Sequence, residues 1–233
     1  VEIGFRTNIA NKLAGDNLFT TETYLNKLNL PKSLKYAVMI NASHVLSNVK
    51  NVKLEISSLF KNRKDSLISL VRVAINFDEV HKSEYVLKYI KDLGYKVALN
   101  MMQSNGKTKE QYIKVAKLVS GWECVDILYF ADSLGSMHPT DIKNIAESFN
   151  LGWDKAFGIH AHNNKNLALI NSITAIKNGA TYIDSTIGGM GRGAGNAPTE
   201  NLLVELSHLE LHKGNVKFLN DIIEDFNILK KKY

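Results

Sequence analysis

The sequence predicts an α/β protein, specifically a (β/α)8 barrel, on three observations. Short apolar runs alternate with longer amphipathic segments from end to end, the pattern of βα units around a parallel sheet. The length of 233 residues suits one barrel, which needs roughly 200 to 250 residues. Each apolar run also turns polar at its C-terminal end, where a barrel builds its active site. A doubly wound open sheet is the alternative. It carries a glycine-rich turn after its first strand, and Phe5-Arg6-Thr7-Asn8 is not one.

Taken in order, Val1 to Arg6 (VEIGFR) reads as a strand and Thr7 to Thr21 as a long loop. Tyr36 to Asn41 (YAVMIN) is the second strand, followed by a second long loop, Ala42 to about Leu54. Long loops on one side of such a sheet are where sites usually lie. Leu70 to Asn76 is the third strand, Ser83 to Leu93 a helix, Lys96 to Met102 the fourth strand and Lys109 to Val119 a helix. Asp126 to Asp132, Ala156 to His162 and Thr181 to Thr186 complete the strands. Helical patterns cover Asp141 to Phe149, Lys165 to Asn178, Thr199 to Leu209 and Val216 to about Leu229. No internal repeat, low-complexity tract or linker interrupts this order, so residues 1–233 are expected to form one catalytic domain. A barrel needs eight strands and seven can be read. Because Val1 already lies within a strand, the missing one is expected ahead of it, giving a barrel shortened at its N-terminus.

Composition excludes several classes. With 45% hydrophobic residues, 3 Pro and 15 Gly, the chain is globular. No stretch approaches the roughly 18 apolar residues of a membrane span, and no signal-like segment opens the chain. The single cysteine, Cys124, excludes an intramolecular disulfide, points to a reducing cytoplasm and reads as structural. The net charge is +6, but lysines cluster in solvated stretches such as Lys50 to Lys53, Lys61 to Lys64 and Lys230 to Lys232. No basic stripe with interleaved aromatics argues for nucleic acid.

The polar strand ends are Arg6, Asn41, Asn76, Asn100, Asp132, His160 with His162, and Asp184. Turn chemistry explains one or two of these; seven of seven points to an active-site mouth. In His160-Ala161-His162, alternation puts Gly158, His160 and His162 on one face and Phe157, Ile159 and Ala161 on the other. Two imidazoles at i and i+2 can reach one divalent ion at about 2.1 Å each; the alternative is a pair of hydrogen-bonded core histidines. After the last strand, Gly188 to Pro198 holds five glycines in eight residues, a loop whose exposed N–H groups can receive an anion. Within it Asn196 is the stronger candidate ligand, and Arg192 either binds a carboxylate or sits in solvent or at a helix end. Asp132-Ser133 either orients water or substrate or serves as a cap or turn. Glu2 and Arg72 alternate inward and read as a buried ion pair.

These residues resemble the metal-dependent aldolases and acyl-condensing enzymes that include 4-hydroxy-2-oxovalerate aldolase, hydroxymethylglutaryl-CoA lyase and 2-isopropylmalate synthase. The resemblance is carried by Val1 to Arg6, Leu128 to Gly135 (LYFADSLG), Gly158 to Asn164 (GIHAHNN) and Asp184 to Pro198 (DSTIGGMGRGAGNAP). It implies a TIM barrel holding Mn²⁺ or Mg²⁺, with Zn²⁺ or Co²⁺ as further choices. His160 and His162 ligate the ion, and an Asp after an Arg at the end of the first strand completes the set; no such pair precedes Val1. Asn196 completes or supports the shell, Asp132 and Ser133 orient water or substrate, and Arg192 is a further site residue. Met190 stands where the lyases place a catalytic Cys, and the synthases' Gly-Glu-Arg-Ala-Gly-Asn is not matched. The aldolases' Gly-Met-Gly-x-Gly-Ala-Gly-Asn-Ala-Pro is matched from Gly189 to Pro198. The resemblance therefore implies a cytoplasmic aldolase that cleaves or forms a C–C bond of a 4-hydroxy-2-oxo acid, with the metal taking up enolate charge. An acyl-CoA condensing synthase and an inactive fragment are the alternatives. The expected partner is a small 2-oxo acid, neither nucleic acid nor membrane, with a homodimer left open.

Overall fold

In the computed structural model, which describes residues 1–9, 15–47, 52–213 and 218–232, seven strands follow one another in sequence order in one sheet. They are β1 (Glu2–Phe5), β2 (Tyr36–Asn41), β3 (Ile68–Asn76), β4 (Lys96–Met102), β5 (Ile127–Asp132), β6 (Ala156–Ala161) and β7 (Tyr182–Ile183). Among the described residues, nine α-helices lie between and after them: α1 (Glu22–Lys27), α2 (Ala42–Leu46), α3 (Val52–Leu59), α4 (Glu84–Asp92), α5 (Lys109–Ser120), α6 (Pro139–Asn150), α7 (Ala168–Lys177), α8 (Thr199–His208) and α9 (Leu219–Lys232). The α/β class and the parallel pairing are as expected. None of these helices is long and apolar enough to cross a membrane. By its internal packing the chain divides into two units.

The first unit comprises residues 1–102, 114–129 and 152–155. Here β1, β2, β3 and β4 pair in parallel, with Val38 opposite Val71 and Val73 opposite Leu99. The middles of β2, β3 and β4 are mainly apolar because both faces are covered, with Val38, Val71, Val73, Val97 and Leu99 wholly buried, whereas β1 is exposed or half-buried along its length. Helix α4 buries Val86, Leu87 and Ile90 on one face, each contributing about 1.5–3 kcal/mol. It stops at Gly94, whose φ of 90° suits the left-handed turn that ends a helix. The Asp126 carboxylate accepts from Lys91 Nζ at 2.6 and 2.8 Å and from the Val97 amide at 2.7 Å, tying the start of β4 to α4. Glu2 and Arg72 pair at 3.3 Å as expected, but only Arg72 is buried and Glu2 is exposed; the Arg72 guanidinium lies 4.3 Å from the Tyr129 ring centre. Cys124 is buried, and burial pushes its thiol pKa up, which keeps it unreactive.

One loop expectation and the reading of two strand-end residues need correction in this unit. The segment after β2 contains helices α2 and α3, because the Asn41 side chain accepts from the Ser43 amide at 2.9 Å and caps α2. Val52 and Ile56, four residues apart, then bury one face of α3. Asn41 is therefore a helix cap. Arg6 is likewise occupied: its Nε donates to the Thr20 carbonyl and its Nη1 to Glu22 and the Leu59 carbonyl. Parts of both expected loops, 10–14 and 48–51, lie outside the described residues.

The second unit comprises residues 103–113, 130–151 and 156–233. Phe149 of α6 stacks edge-on against Phe130 and Phe157, with centroids 5.7 and 5.8 Å away. Pro139 opens α6 without wasting a donor, and the Asp141 carboxylate accepts from the His138 amide at 2.8 Å. Strand β7 is shorter than expected. After the Asp184 amide donates to the Ile159 carbonyl at 3.1 Å, the chain leaves the sheet to begin the glycine loop. The expected opening of the last helix at Val216 lies outside the described residues.

Candidate active site

All six residues singled out for chemistry fall in the second unit. The two histidines lie where strand alternation puts them, side by side at the end of β6. Their ring centres are 5.1 Å apart with the planes at 81°. Gly158 pairs with Tyr182 and Ile159 with Ile183, so the next step of the register sets His160 beside Asp184. The His160 Nδ1 lies 2.8 Å from Asp184 Oδ2, a pair that is partly buried. The sequence marks Asp184 only as one of the polar strand ends and does not show its pairing with His160. The signal for it is register: in adjacent parallel strands the residue after Ile183 must meet the residue after Ile159.

His162 is half-buried, and its pKa is lowered, first by burial and then by the neighbouring His160 and Arg192 charges. The negative charge of Asp132 and a hydrogen bond with the Arg192 backbone pull the other way without cancelling the shift. A lowered pKa keeps the imidazole neutral near pH 7, the form that carries a free lone pair.

Beyond β6, His162 forms an isolated antiparallel bridge with Asn196, and the Asn163 amide donates to the Gly195 carbonyl at 2.9 Å. The glycine loop is thereby folded against the histidine strand. Its glycines are steric necessities. Gly195 has φ 83°, and a Cβ there would strike the Gly189 carbonyl oxygen, which itself accepts from the Asn196 amide at 2.9 Å. A Cβ on Gly191 would lie 2.5 Å from Asn196 Nδ2. The Asn196 side chain is buried. Its Nδ2 donates to the Met190 carbonyl at 3.2 Å, and its Oδ1 has no partner. Arg192 is exposed.

Asp132 is fully buried, and both carboxylate oxygens are used: Oδ1 accepts from the Ser136 amide and Oδ2 from the Met137 amide, each at 3.0 Å. Ser133 Oγ accepts from the Gln103 amide at 2.9 Å. The structure thus places Asp132 and Ser133 as the frame of the turn after β5. Ser136 and Met137, held by that frame, line a polar cleft of about 260 Å³ together with Lys107, Tyr112 and Asp141. Burial pushes the Tyr112 hydroxyl up to about 12, and it donates to the Ser104 carbonyl.

Among the described residues no group of three or more His, Cys, Asp and Glu could hold an ion. The groups present there are two imidazoles and Asn196, whose amide oxygen is a buried acceptor left without a hydrogen bond. Native proteins rarely leave such an atom unsatisfied without a reason.

A parallel α/β fold with paired histidines at a strand end, bridged to an asparagine in a glycine loop, is the arrangement of an α/β enzyme with its site at the strand ends. Comparison with known proteins narrows this to one family. The HMGL-like family profile matches residues 66–224, and the chain belongs to that family. A 4-hydroxy-2-oxovalerate aldolase of Carboxydothermus hydrogenoformans is 38% identical over 145 residues, covering 62% of this chain and 43% of the relative. The protein of the same name from Thermus thermophilus is 34% identical over 155 residues, 66% of this chain and 44% of the relative. The chain thus spans less than half the length of these relatives. Among solved structures, the N-terminal domain of a protein described as an aldolase, from Bacteroides vulgatus, superposes with a TM-score of 0.82 at 30% identity. It covers 100% of this chain and 75% of that one. The HMG-CoA lyase of Brucella melitensis superposes at 0.69 with 13% identity, covering 90% and 79%, a likeness of fold.

Proposed function

We propose that this protein is a divalent-metal-dependent aldolase acting on a 4-hydroxy-2-oxo acid. The observation that carries the reading is a pair of adjacent imidazoles whose strand is bridged through the backbone to Asn196, a residue with a buried amide oxygen that lacks a partner. The names of the curated relatives support the substrate class. His160, His162 and Asn196 would hold the ion. When bound, it supplies Lewis-acid polarisation of the 2-oxo acid's carbonyl and stabilises the negative charge that grows there as the C–C bond breaks. The glycine loop keeps Asn196 against the histidine strand, and the exposed Arg192 guanidinium is available to a substrate carboxylate. Asp132 and Ser133 hold the turn after β5 and so shape the cleft beside it. A donor set of two imidazoles and a neutral amide favours Zn²⁺ or Co²⁺ over Mg²⁺ unless a carboxylate joins it. The same reading takes the seven strands as part of a single-domain (β/α)8 barrel and places the protein in the cytoplasm, consistent with one buried free thiol.

The test is pyruvate release from 4-hydroxy-2-oxopentanoate with Mn²⁺, Co²⁺ or Zn²⁺. Release that stops on chelation, and on His160→Ala or His162→Ala, supports the assignment. Release that survives either substitution or the chelator overturns it, as does saturable metal binding that ignores both histidines.

A further inference from the structure

We propose that Asp184 is the positioning residue of His160: its carboxylate holds the proton on Nδ1, fixes the ring plane and leaves Nε2 as the atom offered to the ion. This deepens the metal-site reading and rests on it. Three observations carry it. Asp184 Oδ2 lies 2.8 Å from Nδ1 and no further, the length of a charge-assisted hydrogen bond. The register that brings them together is built into the backbone, with the Asp184 amide bonded to the Ile159 carbonyl immediately before His160. Both side chains are mostly shielded, 24% and 18% exposed, so water competes weakly for the bond. A neutral imidazole carries one N–H and one lone pair. An acceptor at Nδ1 therefore settles which nitrogen is free, and a carboxylate does so more firmly than a carbonyl. His162 has no carboxylate at this distance among the hydrogen bonds and ion pairs of the described residues, so the two ligands of one site would be set by different means.

The bond can be read without metal or activity. In metal-free protein at about pH 8.5, where an imidazole of ordinary pKa near 6.5 is neutral, long-range ¹H–¹⁵N correlations should show His160 as the Nδ1–H tautomer. Asp184→Ala should convert it to a mixture dominated by Nε2–H, whereas Asp184→Asn, which keeps an acceptor oxygen, should retain most of the native pattern. Zn²⁺ affinity, measured by chelator competition, should fall by roughly 10- to 100-fold in Asp184→Ala, the usual effect of removing an outer-shell partner, and less in Asp184→Asn. A His160 that keeps its Nδ1–H tautomer in Asp184→Ala overturns the proposal, and so does Zn²⁺ affinity within threefold of the parent. If the parent protein itself binds no Zn²⁺, the metal-site reading fails, and the metal-free tautomer comparison still decides whether Asp184 sets the ring.

Discussion

Replacing Asn196 with alanine separates a residue kept for a ligand from one kept for folding. The side chain is 8% exposed, donates one hydrogen bond to the Met190 carbonyl and leaves Oδ1 unpartnered. Trimming it removes an amide–carbonyl bond, a loss of about 0.5–1.5 kcal/mol, and also removes an unsatisfied buried acceptor, a gain of about 1–3 kcal/mol. The gain matches or exceeds the loss over most of these ranges, so the metal-free protein should be destabilised by no more than about 0.5 kcal/mol, or about 1–2 °C in Tm for a chain of this size. The metal response should behave otherwise. At 100 times the Kd a bound ion adds about 2.7 kcal/mol, roughly 5–10 °C on the same conversion. Loss of a direct ligand weakens binding at least as much as the roughly 10- to 100-fold of an outer-shell change. At the same metal concentration the gain then falls to about 0.4–1.4 kcal/mol. Thermal melts of parent and variant with and without Zn²⁺ or Co²⁺ check both halves. A metal-free loss above about 2 kcal/mol would show that Oδ1 is satisfied after all, and an undiminished metal response would show that Asn196 is no ligand.

Three further outcomes follow from the same loops. Gly195→Ala must adopt a φ of 83° and push against the Gly189 carbonyl, so it should cost about 2–3 kcal/mol in urea unfolding. Gly188→Ala, whose Cβ meets only the Phe226 ring at 3.4 Å, should cost about 1 kcal/mol; equal losses would remove the steric argument. Asp132→Asn gives up one of two charge-assisted bonds to backbone amides and should destabilise by about 2–3 kcal/mol. Because the Asp132 charge raises the His162 pKa, that variant should also titrate His162 at still lower pH by NMR, and a rise would contradict the placement. Finally, the His162 pKa is lower folded than unfolded, so the unfolded chain takes up the proton first. The stability this contributes is present above about pH 6.5 and is lost as pH falls towards the folded value. His162→Gln should flatten the acid side of the stability profile in that window, and an unchanged profile would refute the assignment.

The strands most legible in the sequence are those whose burial is complete. Tyr36 to Asn41 and Lys96 to Met102 begin and end in the structure where the apolar runs do, because covered parallel strands write their limits directly into composition. The face shared by His160 and His162 was equally legible, since a period of two admits no other arrangement. Helices α2 and α3 were not, because the cap that starts α2 is supplied by Asn41, which as a strand-end polar residue reads equally well as part of a site. Strand β7 was over-extended because Asp184, Ser185 and Thr186 read as the polar end of the strand, whereas pairing stops at Ile183 and the chain turns into the glycine loop, which returns to pair with His162. Asp184 was legible as a polar strand end, but its pairing with His160 was not, because the partner is 24 residues away and only register connects them.

Polar strand ends alone therefore mark two kinds of residue, and hydrogen-bond accounting separates them. Asn41 and Asp132 are occupied: the Asn41 oxygen takes the Ser43 amide, and both Asp132 oxygens take amides of the following turn. Such residues build the loops that surround a site. His160 and Asn196 are only half occupied, with Nδ1 bound to Asp184 and Nδ2 bound to Met190, so each has one face fixed and one acceptor free. That combination is what a ligand requires, because a lone pair is useful only if the rest of the side chain cannot rotate to satisfy it. Asn100, at 3% exposure near the end of β4, also leaves a buried Oδ1 unpartnered in the first unit. Arg6 is the contrasting case: its Nε and Nη1 are tied to Thr20, Glu22 and Leu59, and its buried, unpartnered Nη2 is a donor with no lone pair to offer, so it belongs with the residues kept for the fold.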